Sequence, residues 1–284
     1  MSIEEICENH KIENYIINDD GSIDVNGNVV LDDSKLYELP LTFNKVSGFF
    51  TCSRNYLTTL KGAPKYVGGG FYLNDNALGS LEFCPEYIGG KFLCNVNLLT
   101  SLKGCPKKIF KDFDSMDNLL VNLKEGPNEV GGSFFCSNNR LTSLEGSPEN
   151  IDGEFDCSIN SLNDLQYGPK RINSHFTAYG NYLTSLKGCP EYVDGHFDLS
   201  DNDLKEIDYL PDFVKGTCFV GGRNPISSIL KGRPNLEDLR GLKSFRVIKD
   251  GVINLKRLRY FQETFDNPIS FDEVKNLYKM KSGY

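Results

Sequence analysis

Eight asparagines recur at a fixed step of 21 residues: Asn55, Asn76, Asn97, Asn118, Asn139, Asn160, Asn181 and Asn202. Eight prolines keep the same step from Pro64 to Pro211, and eight phenylalanines keep it from Phe50 to Phe197. Three residue types locked to one period mean one supersecondary unit copied again and again, each copy burying its apolar face against its neighbours. That constraint excludes most single-core folds before any other property is considered.

One copy, Val67–Tyr87, reads VGGGFYLNDNALGSLEFCPEY. Phe71 and Leu73 alternate with polar neighbours, the period of a strand, and Leu78 and Leu81 close the bottom of the coil. Glycine and proline in the return segment exclude a long helix, so turns and extended chain are expected there. The recurring Asn carries both donors and acceptors on a short side chain. At a corner it can pair backbone groups of adjacent coils that would otherwise cost about 1–3 kcal/mol each if left buried and unpaired.

The pattern φ-x-x-x-F-x-C-x-x-N-x-L resembles the core L-x-x-L-x-L-x-x-N-x-L of the leucine-rich-repeat family, with one extra residue, usually Gly, before the Phe. The return segment LTSLKGCP, at Leu99–Pro106 and again at Leu183–Pro190, is similar to the short-repeat class of bacterial effectors. The opening IINDDGSIDVNG (Ile16–Gly27), followed by LPLTFNKVSG (Leu39–Gly48), is similar to phage-encoded leucine-rich-repeat proteins. The resemblance implies a mainly β solenoid of about ten 21-residue coils, with a parallel sheet on one face and turns and extended chain on the other.

The frame extends beyond the regular copies. Residues 22–42 form a degenerate first coil with Ser34 in the Asn place, and at the far end Asn224, Ile226 and Ile229 run one residue late. The expected division is an N-terminal cap over 1–21, a solenoid over 22–235, and a partly helical C-terminal cap over 236–284. Caps are needed because a solenoid otherwise ends on bare core. Ser2-Ile3-Glu4-Glu5 has the signature of a helical turn's start. Leu255, Leu258, Phe261 and Phe265 have helix spacing, and Ser270-Phe271-Asp272-Glu273 reads as a capping box opening a last helix that would contain Val274, Leu277 and Tyr278.

No run of 18 apolar residues suggests a membrane span, and no signal segment is visible, so a cytoplasmic location is expected. The formal charge of −8 argues for solubility and against general nucleic-acid affinity. The nine cysteines are odd in number and include no C-x-x-C pair. Cys52, Cys94, Cys136 and Cys157 take the inward strand position that Leu73, Ala178, Leu199 or Val220 takes elsewhere. They read as small buried hydrophobes with reduced thiols; Cys136 and Cys157, on adjacent rungs, lie at a spacing a disulfide could span.

Function on such a scaffold is expected on outward strand positions. The column after the Phe holds Tyr72, Asp114, Phe135, Asp156, Asp198 and Phe219, and Tyr179 stands two before an Asn. Aromatic anchors in a polar field suit a protein partner, or else they shield neighbouring rungs. The reading is a non-enzymatic protein-binding module without a cofactor; the phage resemblance implies a host factor as partner. Two alternatives rest on particular clusters. Glu154, His175 and His196 stack on consecutive rungs, flanked by Asp156 and Asp198, and could hold a metal or serve acid–base chemistry. Residues 231–260 carry a charge of +6, leaving −14 elsewhere, and this basic cap could dock an acidic partner or nucleic-acid phosphate.

Overall fold

A column of identical small or apolar residues can stack only if each coil returns to the same height, and the chain does this by pairing strands 21 residues apart. The computed structural model describes residues 1–205, 207–230, 235–249, 252–265 and 274–281. They form two compact units, Met1–Glu154 and Phe155–Tyr284.

In the first unit Val29–Val30, Phe50–Thr51, Phe71–Tyr72, Phe92–Leu93, Phe113–Asp114 and Phe134–Phe135 pair in parallel, each Phe opposite the next. In the second, Phe155–Asp156, Phe176–Thr177, Phe197–Asp198 and Cys218–Phe219 do the same. The phenylalanines stack along the interior, with ring centroids 5.1 to 5.6 Å apart from Phe50 to Phe134. Each is fully buried and contributes about 1.5–3 kcal/mol by leaving water. Each unit is a parallel β-solenoid, and among the described residues its helices lie towards the chain ends.

The extended chain expected outside the main ladder is itself paired. Phe43–Val46, Tyr66–Val67 and Tyr87–Ile88 form a second parallel ladder in the first unit, and Arg171–Ile172, Tyr192–Val193 and Phe213–Val214 form one in the second. A tight corner joins this ladder to the main one. A Cβ at Gly90 would lie 2.7 Å from the Gly70 nitrogen and 2.8 Å from the Gly69 carbonyl carbon, and glycine recurs in this column at Gly48, Gly69, Gly132 and Gly153.

The Asn ladder closes the other edge. Asn97 accepts a hydrogen bond from the Leu78 N–H (3.0 Å) and donates to the carbonyls of Leu73 and Cys94 (3.0 and 3.1 Å). Asn181 and Asn202 repeat this in the second unit, and the late Asn224 still accepts from Leu204 N–H at 3.0 Å. The residue before each Asn from Asn55 to Asn202 has a left-handed backbone, including β-branched Val96 (φ 54°) and Ile159 (φ 52°); Asp33 before Ser34 does the same, and at the late coil Gly222 takes that role two residues before Asn224.

A second left-handed column precedes the proline and alternates in kind: Gly62, Phe83, Gly104, Glu125, Gly146, Tyr167, Gly188, Tyr209. At the glycine turns the preceding carbonyl reaches back one coil, as in Leu81 N–H to Lys103 O (3.0 Å), Leu123 N–H to Glu145 O (2.9 Å) and Leu165 N–H to Lys187 O (2.9 Å).

The N-terminal end is covered by helix α1 (Ile3–Asn9), whose capping box pairs Ser2 with Glu5 as its sequence predicts. The C-terminal end carries helix α2 (Leu236–Ser244), opened by an Asn235–Asp238 capping box, and helix α3 (Leu255–Phe265) at the expected Leu255–Phe265 spacing. Between them lies a small sheet that the sequence reading does not contain. Its central strand Val252–Asn254 pairs antiparallel with Ile248–Lys249 and parallel with Lys279–Lys281. Tyr278 Oη donates to Lys205 O at 2.7 Å and Arg240 to Asp212 O at 2.7 Å, tying this cap to the last coils. The expected Ser270–Glu273 capping box lies outside the described residues.

Candidate functional site

The two outward columns of the main ladder serve the backbone in different ways, one bonding to the next rung and the other to its own strand. In the column before the Phe, side chains accept the backbone N–H of the next rung. Asp112 accepts from Ser133 N–H (2.9 Å) and Ser133 Oγ from Glu154 N–H (3.0 Å) in the first unit. His175 Nδ1 accepts from His196 N–H (2.9 Å), and His196 Nδ1 from Thr217 N–H (3.0 Å), in the second. The two imidazoles stack at 4.9 Å and 11°, and His196 meets Phe219 edge-on at 5.6 Å. On each ring Nδ1 is thus occupied as the acceptor of a backbone N–H, which leaves Nε2 for any other partner. This gives His175 and His196 a structural task that spacing alone does not reveal. Glu154 lies at the end of the first unit, half-buried, and the histidines are exposed in the second. Among the described residues, no group of three His, Cys, Asp or Glu side chains is disposed to hold a metal ion.

The column after the Phe is half-buried at Tyr72, Asp114, Phe135, Asp156, Asp198 and Phe219. Its carboxylates turn back on the strand: Asp114 accepts from Met116 N–H (3.0 Å), Asp156 from Ser158 N–H (2.9 Å) and Asp198 from Ser200 N–H (2.8 Å). They therefore arrive in one fixed orientation, at no further entropic cost to a partner. Tyr72 lies against Phe49 at 6.2 Å, and Tyr179 is 40% exposed. In the first unit the face thus brings together Tyr72, Asp114 and Phe135; in the second it brings together Asp156, Tyr179, Asp198 and Phe219.

Electrostatics along the ladder follow the same rung-to-rung logic. Lys91 pairs with Asp112 at 2.8 Å. Burial pushes the Asp112 carboxyl upward, but the Lys91 ammonium and the Ser133 N–H outweigh it, and the group sits below its usual range.

The second ladder carries exposed groups that the reading of the main sheet omits. Tyr66 and Tyr87 stack at 4.7 Å and 3°, Phe110 joins Tyr87 at 5.1 Å, and Lys45 lies 5.3 Å over the Tyr66 ring. In the second unit Arg171 lies 3.8 Å over Tyr192, which stacks on Phe213 at 4.9 Å. The signal was present, because Lys45, Tyr66 and Tyr87 keep the 21-residue step. These rings cover one another's faces and present edges outward.

None of the nine cysteines is in a disulfide. Burial pushes the thiols of Cys52 and Cys218 up to about 12 and raises those of Cys94 and Cys157 well above their ordinary value, so none of these is a nucleophile at neutral pH. Of the basic cap, Lys231, Arg233 and Asp250 lie outside the described residues. No helix among the described residues is long and apolar enough to cross a membrane.

No family model and no curated protein matches the chain. Among solved structures, YopM from Yersinia enterocolitica WA-314 is similar, with a TM-score of 0.42 and 22% identity over 71% of this chain. The matched region spans half the length of that protein's chain.

Proposed function

We propose that the protein is a non-enzymatic binding module whose main-ladder face engages a protein partner. The observation that carries this reading is the pre-set face itself. Half-buried aromatics, Tyr72 and Phe135 in one unit and Phe219 in the other, stand among carboxylates already oriented by their own backbone. Rigid aromatic anchors within a polar surround are what protein interfaces use as hot spots. The resemblance of the first coils to phage-encoded repeat proteins supports a partner among host proteins of the bacterial cytoplasm.

The test is crosslinking capture from bacterial lysate, followed by titration with the purified partner. Phe135→Ala should weaken binding by about 1–3 kcal/mol with little change in melting temperature. Asp156→Lys should slow association and reduce its salt dependence. Should Arg257→Glu with Arg259→Glu abolish capture while those two variants bind normally, the cap is the binding element and the solenoid its mount.

A further inference from the structure

Along the solenoid, exposed lysines find carboxylates on neighbouring rungs: Lys108 with Glu129 (2.6 Å), Lys124 with Glu145 (2.9 Å), Lys215 with Asp194 (3.1 Å). In the C-terminal cap Arg240 pairs with Glu237 at 2.8 Å, while four other cations gather in one place. Arg246, Lys249, Arg257 and Lys281 line one open cavity of about 310 Å³ together with Val252 and Asn254. Among the described residues none of these four cations makes an ion pair.

The small sheet explains why they converge. Lys249 stands opposite Val252, and Lys281 opposite Asn254, on either side of the central strand. Ile253 is fully buried, so its neighbours Val252 and Asn254, with their cross-strand partners, face the other side. Asn254 Oδ1 accepts from Arg257 N–H at 3.1 Å, and the Arg257 guanidinium reaches Arg246 O at 3.4 Å. Arg246 itself occupies an unusual place. Val247 N–H bonds to Leu242 O and Arg246 N–H to Lys243 O, the helix-ending arrangement in which glycine normally takes the left-handed position. Here that position is an arginine at φ 49°. Arg246 and Lys249 also line the adjoining cavity of about 370 Å³, with Lys243 and a single carboxylate, Asp208.

Four cations gathered with no ion-pair partner among the described residues, one of them on a left-handed backbone, repel one another, and a bound anion relieves that repulsion. We propose that this cavity binds a small, multiply charged phosphate compound. Arginine forks grip phosphate oxygens in pairs and lysines add point charge, which is the donor set present. Compactness follows from the remainder of the chain: outside residues 231–260 it carries −14, which repels an extended polyanion. The site is independent of the protein-binding face.

The probe is inorganic tripolyphosphate, titrated calorimetrically into the full chain at physiological salt, with sulfate as the control anion. One site of micromolar affinity, and a rise in melting temperature at saturation, are expected. Lys249→Gln with Lys281→Gln should weaken tripolyphosphate about tenfold or more without lowering the ligand-free melting temperature. Arg246→Gly should weaken it similarly yet raise the ligand-free melting temperature, a split that a purely structural arginine would not produce. Parallel titrations with a nucleoside triphosphate and an inositol hexakisphosphate distinguish the natural sources of the same chemistry. The proposal is overturned if tripolyphosphate binds no better than sulfate, if binding survives the double variant, or if only a single-stranded oligonucleotide binds.

Discussion

Asn97 offers the sharpest test of how the coils are held in register. Its side chain is the acceptor for Leu78 N–H and a donor to the carbonyls of Leu73, Cys94 and Asn95, at 3.0 to 3.3 Å. All three carbonyls keep another donor: Leu73 O has Asn76, Cys94 O has Asn118 and Asn95 O has the Asp75 N–H. Leu78 N–H keeps nothing, in a residue with no exposure. Asn97→Ala therefore orphans one buried donor, at about 1–3 kcal/mol, and forfeits the weaker share of the carbonyl bonds, for a total of about 2–4 kcal/mol. Asn97→Asp preserves the acceptor but sets a carboxylate oxygen against two carbonyls with no cation to offset it. Its folded pKa must rise, so the added penalty is absent below the unfolded value of about 3.9 and grows by about 1.4 kcal/mol per pH unit above it. Urea denaturation at pH 4.5 and pH 7.5 measures both effects, with the exposed Thr100→Ala as a control expected within about 0.5 kcal/mol. Equal midpoints for Asn97→Ala and Thr100→Ala, or a pH-independent Asn97→Asp, would refute the ladder argument. Asn138 is not a neutral control despite its exposure, since its backbone is left-handed (φ 52°) and its amide bonds to Asp117.

Ile159→Gly should stabilise the protein by about 0.5–1 kcal/mol, because a β-branched residue at φ 52° is replaced by what Gly180 already supplies one coil later; a lower melting temperature would show that no strain resides there. The raised thiols give a pH dependence of definite sign. Cys52 and Cys218 ionise near 12 when folded against 9.0 as the ordinary value, so their contribution is intact below pH 9 and is lost as pH climbs towards 12. Stability measured above pH 9 should therefore fall, and Cys52→Ala should make that fall shallower by about 1.4 kcal/mol per pH unit. Native protein should resist a thiol reagent at pH 7.5, while unfolded, unreduced protein should yield all nine cysteines as free thiols.

The repeat was legible because Phe, Asn and Pro each do a task that no other residue type does as well, so their columns do not drift. The late Asn224 and both end helices with conventional signals, Ser2–Glu5 and Leu255–Phe265, followed from the same reading. Other features were written in residue types that permit many readings. Asp112, Ser133, His175 and His196 share one task, accepting the next rung's N–H, but share no chemistry, so the column looked like a reactive cluster. The left-handed column was hidden by Arg54, Val96 and Ile159 among its Asp, Asn and Gly members. Helix α2 carries its own signal in Asn235-x-x-Asp238, inside a stretch whose basic residues dominate its composition. The cap sheet depends on a strand 25 residues beyond its partner, Lys279–Lys281 beside Val252–Asn254, and no local pattern specifies such a pairing.

The alternation of glycine and bulky residues before the prolines has a consequence for how this chain can grow or shrink. Gly104 closes against Leu81 because the coil before it turns through Phe83, and Gly146 closes against Leu123 because the coil before it turns through Glu125. The heritable module is thus a couplet of 42 residues, although the eye counts 21. Removing residues 72–113 would splice like to like and keep the order of turns, whereas removing 72–92 would set Gly62 beside Gly104. Lineages and engineered variants of this protein should therefore differ by even numbers of coils.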